Sequence, residues 1–340
     1  MDWKLITQYP DDMLRDAWKE FLSNSSYPTH YTTPNFFTDP YIRGERFAVL
    51  AFEGDDIGAV LTGVDNGGRI VSGLPVRPQI VFRKGCDRTA ALQALLEGAL
   101  EKGGRSLELI DLHTWEPVGR AESIGFRARA CTGEDSIVML DLAKGEDQIF
   151  REFSQTRRNE LRKAIKNGLV EIKELETDEE IAELYEIHGD WNRRKGNRPD
   201  PFEDFERAMK QRENRKVFIA VRDNKIIAGS YFRFCPGGVV EYAANNSLSE
   251  FQNLRPNDLI GWRAIQWACA DGFTHFSMGG SHLFLRRFGG EVFTAWHYRL
   301  DRTFLKRHEV KETLKKLAVK TYLSLPDSAR QKIKQGLGRA

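Results

Sequence analysis

Cysteine is scarce in this chain of 340 residues: there are four, at 86, 131, 235 and 269, and no CxxC pair. So few, so widely spaced, exclude the cysteine-dense scaffolds of small secreted domains and point to buried thiols in a reducing compartment. No apolar stretch approaches the roughly 18 residues a membrane-spanning helix needs. Met1-Asp2-Trp3-Lys4-Leu5 has no basic segment leading into an apolar run, so no secretory leader is read there and a cytoplasmic location is expected. Neither sign of charge dominates: 51 basic against 49 acidic residues leave +2, which provides no global field for nucleic acid or an anionic surface. His30, His113, His188, His275, His282, His297 and His308 lack ligand spacing with one another or with cysteine, so no metal is expected. No dinucleotide GxGxxG and no nucleophile elbow occurs.

Two similar halves are present. Hydrophobic residues make up 41% and charged residues 29%, a balance with ample core material. The length favours two domains. In the first half, Phe47–Phe52 reads as a buried strand, Glu53–Asp56 as a turn and Ile57–Val64 as the next strand. Asp65–Gly68 turns again and Ile70–Leu74 begins a third strand. A loop with Pro75 and Pro78 leads to a helix over Arg88–Lys102, stopped by Gly103-Gly104, and a strand at Ser106–Ile110. The second half repeats the order. Strands at Val217–Arg222, Ile226–Phe234 and Val239–Ala244 precede a loop with Pro256, a helix over Asp258–Ala270, Gly272 and a strand at Phe273–Ser277. The identities differ but the plan does not, which marks a domain-sized internal repeat. Val138–Leu142 reads as a strand closing the first copy. The second copy opens with helices over Ile149–Gly168, from Asp178, and over Pro201–Gln211.

Helices, then an antiparallel meander, then a loop-helix-strand unit is also the plan of GNAT acyltransferases. The residues add detail: Thr156-Arg157-Arg158-Asn159; Tyr242-Ala243-Ala244; Leu254-Arg255-Pro256-Asn257-Asp258; Gly279-Gly280-Ser281; and Arg287-Phe288-Gly289-Gly290. In this order they resemble the FemABX-like (BioF2-like) branch of the GNAT superfamily, whose members carry two GNAT-like domains in tandem. The detailed resemblance runs from Phe153 to Tyr298, and the first half matches in plan. It implies an α/β fold with mixed α+β sheets, built as a degenerate first domain over 1–143, a GNAT acyltransferase domain over 144–304 and a basic helical tail over 305–340. The chain departs from the pattern at Arg286-Arg287, where similar proteins often have Lys before Phe-Gly, and at Ser277-Met278, where they have Asp. There is no room for the helical hairpin inserted in some cell-wall aminoacyl transferases.

Acyl transfer to an amine needs a held donor, a deprotonated amine and a stabilised oxyanion. The resemblance implies that donor binding falls to Leu254, Arg255, Pro256 and Asn257, with backbone N–H groups at the helix start facing a pyrophosphate. Asn257 or Asp258 is expected to cap that helix, although the Asp258 charge would repel phosphate. The usual glycine-rich phosphate signature is missing from this loop. Glu241, placed by period-two alternation on the face opposite Val240, Tyr242 and Ala244, is the candidate base. Tyr242 offers an acid or an orienting group, and His282 a group titrating near neutrality. Glycines 279 and 280 would let backbone approach a ligand, with Ser281 beside it. Arg157, Arg158, Arg286 and Arg287 offer clamps for phosphate or carboxylate, and Trp191 with Arg194 offers a basic aromatic loop for a sugar or nucleotide diphosphate. Each of these also reads as packing or solvated surface.

From Arg302 onward, eleven basic and three acidic residues give +8, and Val310, Leu314, Leu317 and Thr321 share a helical face. Such a tail suits an anionic membrane surface, a tRNA backbone or docking on the body. Three functional readings follow. One is acyl transfer from acyl-CoA to an amine of a cell-envelope precursor or polysaccharide sugar. Another is aminoacyl transfer from charged tRNA to a peptidoglycan precursor. The last is a catalytically silent two-domain binding protein. In the catalytic readings acyl-CoA or aminoacyl-tRNA is a co-substrate, no cofactor is held permanently and the protein is a monomer, with peripheral membrane contact open to it.

Overall fold

The structure is a computed structural model that describes residues 1–112, 125–131, 135–326 and 329. His113, Arg330, Lys332, Lys334 and Arg339 lie outside the described residues.

The first unit opens with β1 (Asp2–Ile6), α1 (Asp12–Ser23) and the short β2 (Ser25–Ser26). Then come β3 (Glu45–Glu53), β4 (Asp56–Asp65), β5 (Arg69–Ser72) and β6 (Ile80–Arg83), followed by α2 (Arg88–Glu101), β7 (Ser106–Leu112) and β8 (Arg127–Cys131). Alternation along β3 explains why it reads as one apolar run. Phe47, Val49 and Ala51 pack with α2, whereas Ala48 and Leu50 face Trp18, Phe21 and Leu22 of α1. Gly98 lets α2 settle on this sheet, since a Cβ there would lie 2.4 Å from Val49.

The second unit follows with β9 (Ile137–Asp141), α3 (Glu146–Glu152), α4 (Gln155–Asn167), β10 (Glu171–Glu174), α5 (Asp178–Lys195) and α6 (Phe202–Lys210). Its meander is β11 (Arg215–Arg222), β12 (Lys225–Phe234) and β13 (Val239–Ser247), leading to α7 (Pro256–Ala270), β14 (His275–Ser277), α8 (Leu283–Arg286), β15 (Glu291–Phe293) and β16 (Ala295–Asp301). A last helix, α9, covers Arg307–Ser324. This sheet too is covered on both faces. Phe218 and Ala220 pack toward α7, while Val217 and Ile219 pack toward Leu184 of α5 and Phe205 of α6. A capping box at Thr177 and Glu180 starts α5.

The two sheets share one topology. The first runs β1-β3-β4-β5-β7-β16-β8, with β6 beside β4; the second runs β10-β11-β12-β13-β14-β9-β15. In each, the third and fourth strands of the path are antiparallel and the next pair, β5–β7 or β13–β14, is parallel. The internal repeat is therefore structural.

Several expectations are corrected. Val138–Leu142 does not close the first copy: β9 pairs with β14 and β15 in the second sheet. Reciprocally, β16 lies between β7 and β8 of the first. The halves exchange their penultimate sheet positions, so neither sheet is contained within one half. The helix expected over Ile149–Gly168 breaks at Phe153 and Ser154, where the Ser154 hydroxyl caps α4. The third strand of the first unit is interrupted. Residues 73–79 leave the sheet and β6 resumes the pairing with β4, a strand hidden by Pro75 and Pro78. No disulfide joins the four cysteines. Among the described residues no helix is long and apolar enough to cross a membrane.

Candidate functional site

Strands β13 and β14 pair only from Val239 to Glu241 and then diverge. Beyond that point β13 continues to Ser247 along β12, with a one-residue bulge at Ala243 between the pairs Tyr231–Ala244 and Phe232–Tyr242. The divergence makes a wedge at Tyr242 whose far side is the chain after β14. Gly279 holds the apex shut. Its φ is +70°, and a Cβ there would lie 2.7 Å from the Tyr242 carbonyl oxygen. That glycine therefore serves chain-to-chain approach, not approach to a ligand as its sequence position suggests.

The Arg157 side chain lies beside the wedge, within electrostatic reach of Tyr242. It is 2% exposed, pairs with Asp258, donates to the Phe284 carbonyl at 2.9 Å, and lies 4.4 and 4.1 Å from the Phe284 and Phe288 ring centres. Burial pulls its guanidinium down to about 10, still charged at neutral pH. Tyr242 stacks on Phe232, and its hydroxyl lies 3.4 Å from Ser230 Oγ and from Asn245 Nδ2. Burial raises its pKa, so it stays protonated.

At the start of α7, the helix begins at Pro256 with Arg255 in a left-handed conformation (φ 61°) and no side-chain cap. Asn257 and Asp258 thus lie inside the first turn, which corrects their expected capping role. Arg255 pairs with Glu160, and Asn257 Nδ2 donates to Ser247 Oγ at 3.2 Å. Arg194 bonds Asp190 at 2.8 Å and the Ser247 carbonyl. Leu254 and Arg255 border a hollow of about 250 Å³ with Glu160, Lys163, Asn167 and Asn253. Other expected ligand groups are committed to the chain. Arg158 donates to the Arg151 carbonyl at 2.6 Å and to that of Phe153. Arg286 Nε donates to the Ser281 carbonyl at 2.5 Å, while the Arg287 carbonyl accepts from Ser154 N–H at 2.9 Å. His282 is exposed at the start of α8, and the half-buried Trp191 has the Lys195 ammonium 5.8 Å from its ring centre. The structure gathers Arg157, Tyr242, Arg255 and Asn257 around the wedge and leaves Trp191 and His282 at the surface.

Glu241 points the other way, into the cleft between the units. Its Oε1 accepts from Arg77 Nε at 2.6 Å, and its Oε2 is buried without a hydrogen bond. The expectation of a carboxylate among apolar neighbours is corrected: Arg77 arrives from the 73–79 excursion, and Arg233 is its cross-strand partner. The Glu241 charge in turn pushes the Arg77 guanidinium up.

Sequence reasoning missed this cleft. Beside Arg77 lies a cavity of about 270 Å³, bordered by Tyr31, Tyr41, Arg43, Arg77, Gln79 and Arg233, while Glu241 lines a separate, smaller hollow with Tyr31, Arg77, Met139 and Ser277. Tyr41 and Tyr231 stack with centroids 6.2 Å apart, and the Arg215 and Arg233 guanidiniums lie 5.5–5.9 Å from both rings. Arg215 is paired with Asp39 at 3.1 Å, a bond joining the two units at full burial. Burial pushes the Asp39 carboxyl up, but His30 at 2.6 Å and Arg215 outweigh it and hold the group at about 2. Arg233 differs. It is 5% exposed, donates to the Tyr31 hydroxyl, leaves Nε without a partner and has no carboxylate within 4.0 Å among the described residues. Burial lowers its pKa, and the neighbouring Tyr41 hydroxyl is buried and unpartnered too. The signal was an arginine inside the apolar strand Ser230-Tyr231-Phe232-Arg233-Phe234, where a charge is costly without a purpose.

Residues 151–295 match the family described as Acetyltransferase (GNAT) domain. That stretch makes up most of the second unit. Among solved structures the chain is similar to FemX, at 14% identity over 89% of this chain and 98% of that one, with a TM-score of 0.64. It is similar to the C-terminal domain of a putative lysylphosphatidylglycerol synthetase from Agrobacterium fabrum, at 11% identity over 88% and 96% of the two chains, with a TM-score of 0.60. A tandem GNAT protein from the clavulanic acid biosynthesis pathway aligns at 10% identity over 89% and 99%, with a TM-score of 0.52. No curated protein matches. The chain thus has the tandem GNAT-like fold of these structures, and the match over 151–295 supports an acyltransferase-type enzyme.

Proposed function

We propose that this GNAT protein moves an aminoacyl group from a charged tRNA to the amine of an anionic cell-envelope precursor held in the cleft between the units. The observation that carries the reading is the buried Arg157 guanidinium beside the wedge. A CoA stem would run extended along the free edge of β13, and the packed group of Arg157, Phe284 and Phe288 beside Tyr242 argues against room for it. The pyrophosphate end fares no better. Pro256 has no N–H, Arg255 is neutralised by Glu160, and Asp258 brings negative charge to the first turn. An ester at the end of a large carrier needs no such slot. Lys163 beside the Arg255 hollow, with Arg162 and Lys166 on the same helix, supplies positive charge for its backbone.

In the transfer, the amine nitrogen forms a bond to the ester carbonyl carbon, the carbon–oxygen bond to the ribose breaks, and the amine proton ends on the leaving hydroxyl. Glu241 Oε2 offers an acceptor for that amine, and Arg233 with Tyr41 binds the acceptor's negative group.

The test is binding followed by transfer. Acyl-CoA should leave the melting temperature unchanged, whereas a bound donor at about 100 times its Kd adds about 2.7 kcal/mol. Saturable stabilisation by acyl-CoA would sink the tRNA reading. Arg233→Met should leave stability equal or higher, because it removes a buried charge with no directly bonded carboxylate, yet weaken acceptor binding by about tenfold or more. Unchanged affinity for an anionic acceptor in that variant would remove the cleft from the reading.

A further inference from the structure

After β16 the chain passes through Leu305 and Lys306, both at positive φ (54° and 48°), and enters α9. Most of the helix's described side chains are exposed. Phe304, Leu305, Val310, Leu314 and Leu317 are 73%, 74%, 52%, 62% and 62% exposed. Val310, Leu314 and Leu317 recur at the spacing of one helical face. Lys306, Arg307, Lys311, Lys315 and Lys320 stand exposed around it.

We infer that this segment is a docking surface for a bilayer rich in anionic lipid, with α9 lying in the interfacial plane. Two features select that occupant. The basic residues need negative charge, which both a polynucleotide and an anionic lipid supply. The five exposed apolar side chains need an apolar medium, which only the bilayer supplies, since a phosphate backbone gains nothing from leucine. A second copy of the chain would cover the leucines but bring rows of lysine together. The surface is independent of the donor and acceptor sites above.

The test is co-sedimentation of the full chain with vesicles at physiological salt. Vesicles of phosphatidylglycerol and phosphatidylcholine in equal parts should carry the protein down; pure phosphatidylcholine should not. The double variant Leu314→Ser, Leu317→Ser changes only exposed side chains, so its circular dichroism should match wild type while vesicle affinity falls by about tenfold or more. Lys311→Gln with Lys315→Gln should lower affinity and flatten its salt dependence. Failure of the wild type to bind anionic vesicles overturns the proposal. So does equal binding by the leucine variant, since charge alone would then suffice. Retention by tRNA but not vesicles assigns the surface to RNA instead, and a dimer in sedimentation velocity that the leucine variant abolishes assigns it to self-association.

Discussion

The two units follow one strand order, yet differ where the fourth strand meets the fifth. In the second, β13 runs through the divergence with a single bulge at Ala243. In the first, the corresponding strand breaks into β5 and β6, and residues 73–79 swing out to place Arg77 on Glu241 of the other unit. A bulge is one extra residue and an excursion is several, but both occur where a strand leaves its neighbour and backbone must be re-aimed. Duplication thus gave two equivalent weak points. One became the wedge of a GNAT domain, and the other became a wall that reaches across to it.

The largest test of this division is the bond between the units. Asp39→Asn should cost about 3–5 kcal/mol in urea unfolding, because it leaves Arg215 buried without a carboxylate. A loss under about 1 kcal/mol would mean that the units are not held together there. The same pair predicts an acid limb. Asp39 is held at about 2, below its ordinary value near 3.8, so the folded state binds fewer protons than the unfolded chain between those values. Its stabilisation should be whole above about pH 4 and drain away as pH falls toward 2, and Asp39→Asn should flatten that limb.

Next in size are the glycines. Gly279→Ala, with its Cβ against the Tyr242 carbonyl at positive φ, should cost about 1–3 kcal/mol. Gly85→Ala, also at positive φ but with open space around it, should cost about 1 kcal/mol. Equal losses would mean that only backbone conformation matters and the wedge apex is not tight. The smallest contrast is at the helix starts that follow the two weak points. Asp87 accepts from Thr89 and Ala90 N–H, so Asp87→Ala should lower the melting midpoint by the equivalent of about 1 kcal/mol. Asn257→Ala, which caps nothing, should cost less; the reverse order would show that the α7 terminus does depend on Asn257.

How much of this could be read from the sequence follows from range. The repeat, the main strands and the α2 and α7 helices were legible because each is written in a local rhythm of apolar residues. Their sheet partners were not. Nothing in Ile137–Asp141 distinguishes a strand for the first sheet from one for the second, since both faces are apolar in either place. Asn257 resembles a cap because Pro256 has the look of a loop residue, whereas proline at the first helical position is well tolerated. The arginines that read as ligand clamps stand out in the sequence by charge alone. Arg157 and Arg158 hold carbonyls and carboxylates of the chain itself, while Arg233, one charge in an apolar strand, keeps a buried Nε without a hydrogen bond.

The exchange of β9 and β16 has a consequence for biosynthesis. When residue 143 leaves the ribosome, the first sheet still lacks the strand between β7 and β8, which is encoded some 150 positions later. Neither β8 nor the edge of β7 can be satisfied until β16 arrives, so the first half must wait, with an open edge, for the second. Contacts this distant in sequence slow folding, and a chain cut between the halves would yield two fragments each missing a strand supplied by the other.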